Sequence, residues 1–100
     1  MNKPVALITG GSRGIGYGCA TALAGAGYDL AIAGRRPADD CADALQGLRA
    51  QGAAVLYAIC DVADATQREA LVQQTLDRFD HINVLVNNAG VAPRERNDIL

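Results

Sequence analysis

Tryptophan is absent and aromatic residues make up only 4% of the 100-residue sequence, too few for the row of base-stacking platforms that a single-stranded nucleic acid needs. Basic charge is equally thin. Lys3 is the only lysine, and nine basic against eleven acidic side chains leave a formal net charge of -2, which creates no broad field for DNA, RNA or an anionic membrane. Nucleic acid and membrane are therefore not expected as partners. The single histidine, His81, sits beside Asp80 in a short connection, and the three cysteines, Cys19, Cys41 and Cys60, lack the close spacing of a zinc or iron-sulfur site. Three cysteines cannot all pair within one chain, and they read as core or half-buried thiols. No metal site is expected. No apolar run reaches the roughly 18 residues that span a bilayer, and the opening stretch MNKPVALITGG has no signal-peptide cleavage pattern. A cytoplasmic chain is the expectation.

What the sequence has in quantity is apolar residues, at 50%, and glycine, at eleven. With 20% charged residues and three prolines, this composition argues for a folded segment and against disorder. A chain of this length buries roughly two thirds of its extended surface, enough for one modest core. Apolar runs alternate with helical patterns. Pro4 to Thr9 (PVALIT) reads as a buried strand that stops at Gly10 and Gly11. The next stretch places Ile15, Cys19, Ala22, Leu23 and Ala26 on one helical face, and Gly27 supplies a stop. Leu30 to Ala33 forms a second strand. A helix over Ala38–Ala50 follows Pro37, opens on Asp39 and Asp40, and turns Cys41, Ala42, Leu45 and Leu48 inward before Gly52.

Residues 53–60 read as a third strand. Asp64 is placed to cap a third helix with Gln67 as its reciprocal capping-box partner, and Ala70, Leu71, Thr75, Leu76 and Phe79 form the apolar face. Residues 82–87 (INVLVN) complete four strands. Strands separated by helices, with no hairpin signal, imply right-handed crossovers and a parallel sheet covered on both faces. The expected fold is α/β, a Rossmann-like doubly wound sheet with strand order 3-2-1-4. No helix follows strand four, so residues 1–100 read as the N-terminal part of a single longer domain whose catalytic part lies past Leu100.

Between the first strand and its helix lies a loop with glycines at 10, 11, 14 and 16. Backbone without Cβ atoms turns tightly there and approaches a ligand closely. The helix beneath it points unpaired amides and positive potential outward, so a pyrophosphate can be held without lysine. The loop lacks the GK[ST] of a Walker A sequence, and Cys19 stands where the last glycine of GxGxxG would fall. Its position between strand and helix nonetheless points to a dinucleotide. Ser12 is placed either to touch phosphate or to cap the helix.

An NAD site expects an acid at the end of strand two to hold the ribose hydroxyls. This chain has Gly34, then Arg35 and Arg36. Arg13 and Arg35 suit bidentate contact with a 2'-phosphate, which favours NADP(H); Arg36 is also readable as a solvated surface arginine. Asp61 can accept from the adenine amino group or cap the following helix, and the Val62 backbone can address the ring edge. Asn87 reads as a scaffold residue tying neighbouring strand ends. Gly90 lets the backbone pass close to the ribose and nicotinamide. Tyr17, Tyr28 and Tyr57 have no paired lysine and read as packing or surface groups.

Together these residues resemble the classical short-chain dehydrogenase/reductase family. Its TGxxxGxG pattern matches Thr9, Gly10, Gly14 and Gly16, its NNAG motif matches Asn87 to Gly90, and its adenine-contacting pair matches Asp61 and Val62. The wording TGGSRGIG with Arg13 is similar to the NADP-preferring members, among them 3-oxoacyl carrier-protein reductases. The resemblance implies a cofactor site drawn from Gly10, Ser12, Arg13, Gly14, Ile15, Gly16, Arg35, Arg36, Asp61, Val62, Asn88, Ala89 and Gly90. It also implies hydride transfer between nicotinamide and a small carbonyl or alcohol substrate, and a homodimer or homotetramer. The family's catalytic Asn, Ser, Tyr and Lys come later in the chain, so no catalytic residue is expected here. The alternative is a non-catalytic NADP-binding sensor or structural protein of the same fold.

Overall fold

In the computed structural model, which describes residues 3–10 and 14–87 and only the backbone at 14 and 15, four strands pair in the order β3-β2-β1-β4. The strands are β1 (Val5–Thr9), β2 (Asp29–Gly34), β3 (Val55–Ile59) and β4 (Val84–Asn87). Every pairing is parallel, as the crossover helices require. The helices are α1 (Gly14–Gly25), α2 (Ala42–Ala50) and α3 (Ala65–Phe79). The expected doubly wound architecture and strand order are both present.

Residue alternation along the strands sorts the core into two layers. On one face Ala6, Ile8, Leu30, Ile32 and Val55 pack with Ala20 and Ala24 of α1 and with Leu45 and Leu48 of α2. On the other Leu7, Ala31 and Ala33 pack with Cys60 and with Leu71 of α3. Both middle strands are buried, β1 along its whole length and β2 at its four inner positions, which explains their unbroken apolar runs. Full burial of a side chain such as Ile32 or Leu48, each at 0% exposure, contributes about 1.5–3 kcal/mol.

The helices depart from the sequence expectation in three ways. In α1 the buried row is Gly16, Ala20 and Ala24, while Ala22 and Ala26 are exposed and Cys19 and Leu23 only half-buried. A helix this rich in alanine and glycine has little contrast between its faces, and the smallest residues win because they allow the closest approach to the sheet. The second helix starts as a 3-10 turn over Ala38–Cys41 before α2 proper. Pro37 presets the entry, no side chain caps the first amides, and the Asp40 amide bonds the Pro37 carbonyl at 3.0 Å, a tighter turn that uses part of the unpaired terminus. Ala42 faces solvent while Cys41 is buried. In α3 Leu71 and Thr75 are buried, Ala70 is exposed and Leu76 is 37% exposed.

Asp64 caps α3 as expected, with Oδ1 accepting from the amides of Thr66 at 2.9 Å and Gln67 at 3.2 Å. Gln67 returns a bond to the Asp64 side chain, its Nε2 donating to Oδ2 at 3.5 Å, but not to the Asp64 amide as a capping box would. The Asp64 amide already donates to the Asp61 carbonyl at 2.9 Å, and Gln67 Oε1 instead accepts from the Asp61 amide at 2.7 Å. At the N-terminal edge of the sheet, the sole lysine, Lys3, lies 3.2 Å from Asp29 Oδ1 and donates to the Gly52 carbonyl at 2.9 Å. No helix among the described residues is long and apolar enough to cross a membrane.

Strands β2 and β3 make one further close contact. The Tyr57 hydroxyl lies 2.6 Å from where a Cβ on Gly34 would stand and donates to the Arg36 carbonyl at 2.7 Å. Burial pushes the phenol up from 10.0 to about 12, helped by hydrogen bonding to and charge repulsion from Cys41 and opposed by Arg36. A raised folded value means stability that is fully present below pH 10 and is lost as pH rises through about 12.

Three outcomes follow for the full-length protein. Ile32→Ala should lower unfolding free energy by about 2–5 kcal/mol in urea titrations, and a loss under 1 kcal/mol would refute its place in the core. Asp64→Ala should cost about 1 kcal/mol through the lost cap, measured the same way, with no loss contradicting it. The absorbance difference at 295 nm between wild type and Tyr57→Phe, followed while circular dichroism remains native, should titrate near pH 12; a midpoint near 10 would show an exposed phenol.

Candidate functional site: the C-terminal edge of the sheet

Because all four strands run the same way, their C-terminal ends, Thr9, Gly34, Ile59 and Asn87, share one edge. Strand order reverses at β1: α1 and α2, which lead from β1 to β2 and from β2 to β3, pack on one face of the sheet, while α3, which leads into β4, packs on the other. That geometry opens a crevice above β1 and β4. Gly10 turns the chain out of β1 with φ 73°, a left-handed conformation for which glycine is suited. Its amide donates to the Ala33 carbonyl at 2.7 Å, so the turn is anchored to β2. α1 begins at Gly14, and Gly16 is buried in its first turn. The start of this helix offers unpaired amides and positive potential to the crevice.

On the β4 side, Thr9 Oγ1 lies 3.1 Å from Asn87 Oδ1 and 3.4 Å from the Val86 carbonyl, to either of which it can donate. Thr9 is buried and Asn87 exposed. Asn87 thus ties two strand ends, the scaffold role expected of it. His81 lies at the opposite edge, where its Nε2 is 3.0 Å from the Lys3 carbonyl.

The end of β2 carries no carboxylate. Gly34 is followed by an exposed Arg35 and a half-buried Arg36. Arg36 Nη1 donates to the Asp40 carbonyl at 3.4 Å, which directs its guanidinium along the Ala38–Cys41 turn. The Gly34 carbonyl accepts from the Cys60 amide at 2.8 Å, and the Arg36 carbonyl accepts from Tyr57. Backbone on both sides of Arg35 is therefore fixed. The sequence reading of Tyr57 as a packing or surface group misses this link. Its signal was a tyrosine four residues before Asp61 paired with a glycine where an acid is usual.

At the end of β3, Asp61 is half-buried and held from several directions. Its amide donates to Gln67, its carbonyl accepts from Asp64, and its Oδ1 accepts from the Ala63 amide at 3.0 Å. The side chain therefore forms the turn into α3, one of the two roles open to it. Val62 packs against the layer of Leu7, Ala31, Ala33, Cys60 and Leu71, while its carbonyl accepts from Arg68 Nη1 at 2.6 Å. Burial first, then the Asp61 and Asp64 charges, push the Cys60 thiol up against the opposing effect of Arg68. A buried thiol with a raised pKa is held toward its protonated form.

The edge thus brings Gly10, Gly14, Gly16, Arg35, Asp61 and Val62 to the ends of three adjacent strands. Ser12, Arg13, Asn88, Ala89 and Gly90 lie outside the described residues, as does the side chain of Ile15. The edge fits a dinucleotide: a positive-φ turn at Gly10 and a helix start suit a pyrophosphate, and an acid-free strand end with an exposed guanidinium suits an additional phosphate.

The family model for short chain dehydrogenase matches residues 4–99. The chain is 39% identical over 92 residues to 3-oxoacyl-[acyl-carrier-protein] reductase of Synechocystis sp., covering 91% of this chain and 37% of that protein. Among solved structures, the 3-oxoacyl-[acyl-carrier protein] reductase of Brucella melitensis in complex with NAD superposes with a TM-score of 0.83 at 45% identity, covering 98% of this chain and 38% of that one. Actinorhodin polyketide ketoreductase (F189W) with NADPH gives 0.82 at 34% identity, over 91% of this chain and 36% of that one. This chain spans little more than a third of these relatives. On the match over residues 4–99 and the parallel sheet that carries it, the chain belongs to the short-chain dehydrogenase family.

Proposed function

We propose that this chain is the cofactor-binding portion of an NADP(H)-dependent oxidoreductase acting on a small carbonyl or alcohol substrate. The observation that carries the cofactor choice is the end of β2, where Gly34 brings no carboxylate and the exposed Arg35 follows it. A carboxylate there would accept from ribose hydroxyls and repel a 2'-phosphate, whereas a guanidinium attracts the phosphate and can bond it twice. Solved relatives hold NAD in one case and NADPH in another, so the family alone does not choose.

In this reading the Gly10 turn and the start of α1, with Ser12, Arg13, Gly14, Ile15 and Gly16, hold the pyrophosphate. Arg35, with Arg13 and Arg36, holds the 2'-phosphate, and Asp61 and Val62 border the adenine. Asn88, Ala89 and Gly90 border the ribose and nicotinamide. The bound nicotinamide supplies or accepts the hydride. The only lysine, Lys3, sits at the far edge of the sheet and pairs with Asp29, away from this cofactor site.

Two measurements on the full-length protein test this. NADPH should bind at least about tenfold tighter than NADH, and Arg35→Ser should weaken NADPH by about 10-fold or more, in line with about 1.5–3 kcal/mol for hydrogen bonds to a charged group, while leaving NADH within about 2-fold. Equal affinities in the wild type would overturn the choice of NADP(H). Cofactor oxidation against a panel of ketones and aldehydes should be detectable; binding without turnover on carbonyls or alcohols would assign the protein to a non-catalytic nucleotide-binding role.

A further inference from the structure

We propose that Tyr57 is a positioning residue for cofactor selection: its hydroxyl fixes the backbone behind Arg35 and occupies the space that an acidic side chain at position 34 would need. This inference rests on the NADP(H) reading above and adds to it a residue on a different strand.

Two contacts made by one oxygen carry it. Tyr57 Oη donates to the Arg36 carbonyl at 2.7 Å, and the same atom stands 2.6 Å from the place of a Gly34 Cβ, with two ring carbons of Tyr57 at 3.4 Å. A Cβ at under 3 Å cannot coexist with an unmoved phenol. The phenol is not free to swing away at no cost, because leaving breaks the bond to Arg36 and the packing of its ring beside Cys41 and the first core layer. Loss of this hydrogen bond to a part-buried carbonyl is destabilising. Position 34 is thereby kept as glycine, and the carboxylate that would hold a ribose hydroxyl and repel a 2'-phosphate is kept out.

The second consequence concerns Arg35. Cys60 N–H fixes the Gly34 carbonyl at 2.8 Å and Tyr57 fixes the Arg36 carbonyl, so the exposed Arg35 projects from backbone held on both sides. A guanidinium launched from a fixed backbone loses less freedom when it meets a phosphate than one on a loose loop. Tyr57 would then act on the phosphate through Arg35 and Arg36 without touching the cofactor.

The test is carried out on the full-length protein by fluorescence titration with NADPH and NADH, with thermal melting recorded for each variant. Tyr57→Phe keeps the ring and removes only the hydroxyl. It should raise the NADPH dissociation constant by about 3–10-fold, the equivalent of one hydrogen bond, with NADH within about 2-fold. A purely structural hydroxyl would move both cofactors equally or neither, and either result overturns the positioning role.

Gly34→Asp alone should weaken NADPH without gaining NADH, and adding Tyr57→Ala should raise NADH affinity at least about 10-fold over Gly34→Asp. If Gly34→Asp melts early, recovery of melting temperature in Gly34→Asp/Tyr57→Ala reports the same clash. A Gly34→Asp protein that melts normally and binds NADH as well as the double variant overturns the steric role. A wild type without NADPH preference instead overturns the underlying cofactor reading, which separates the two failures.

Discussion

The structure depends on the parallel pairing of β1 with β2 on one side and β4 on the other. β1 is buried along all five residues, and its register sets Thr9 opposite Ala33 and Asn87. That alignment makes a single edge of the strand ends. Without it, the Gly10 turn, the arginine pair and Asp61 would be scattered along the chain with no common site. Burial on both faces is what enforces the register, since sliding a strand by one residue exchanges the layer against α1 and α2 for the layer against α3.

The edge also divides labour between groups at the strand ends and groups that hold them. Gly10, Arg35 and Asp61 follow β1, β2 and β3; Ala33, Tyr57 and Gln67 hold the backbone at or beside them. Two of these contacts come from strands, Ala33 of β2 and Tyr57 of β3, and the third from Gln67 of α3. Tyr57 shows the economy of the arrangement, because one hydroxyl satisfies a carbonyl and fills the space beside a glycine.

Much of this was legible in the sequence, for identifiable reasons. β1 and β2 announce themselves because buried parallel strands are continuous apolar runs, and β3 and β4, though partly exposed at the sheet edges, are set off by the helical patterns between them. Asp64 was legible as a cap because its role is local. The rotation of α1 was not, since alanine and glycine differ too little in hydrophobicity to mark a face. Neither was the partner of Gln67, which depends on where Asp61 lies in space, nor the work of Tyr57, which depends on the β2–β3 register that places it beside Gly34. Sequence spacing reveals a residue's own element but not the neighbour across the sheet.

The central claim is that the acid-free end of β2, held by Tyr57, receives a 2'-phosphate. A crystal structure of the full-length protein with NADP+ tests it most directly. The account predicts the 2'-phosphate within hydrogen-bond distance of the Arg35 guanidinium, with the Tyr57 hydroxyl still on the Arg36 carbonyl. A phosphate held elsewhere, with Arg35 turned to solvent, would contradict it.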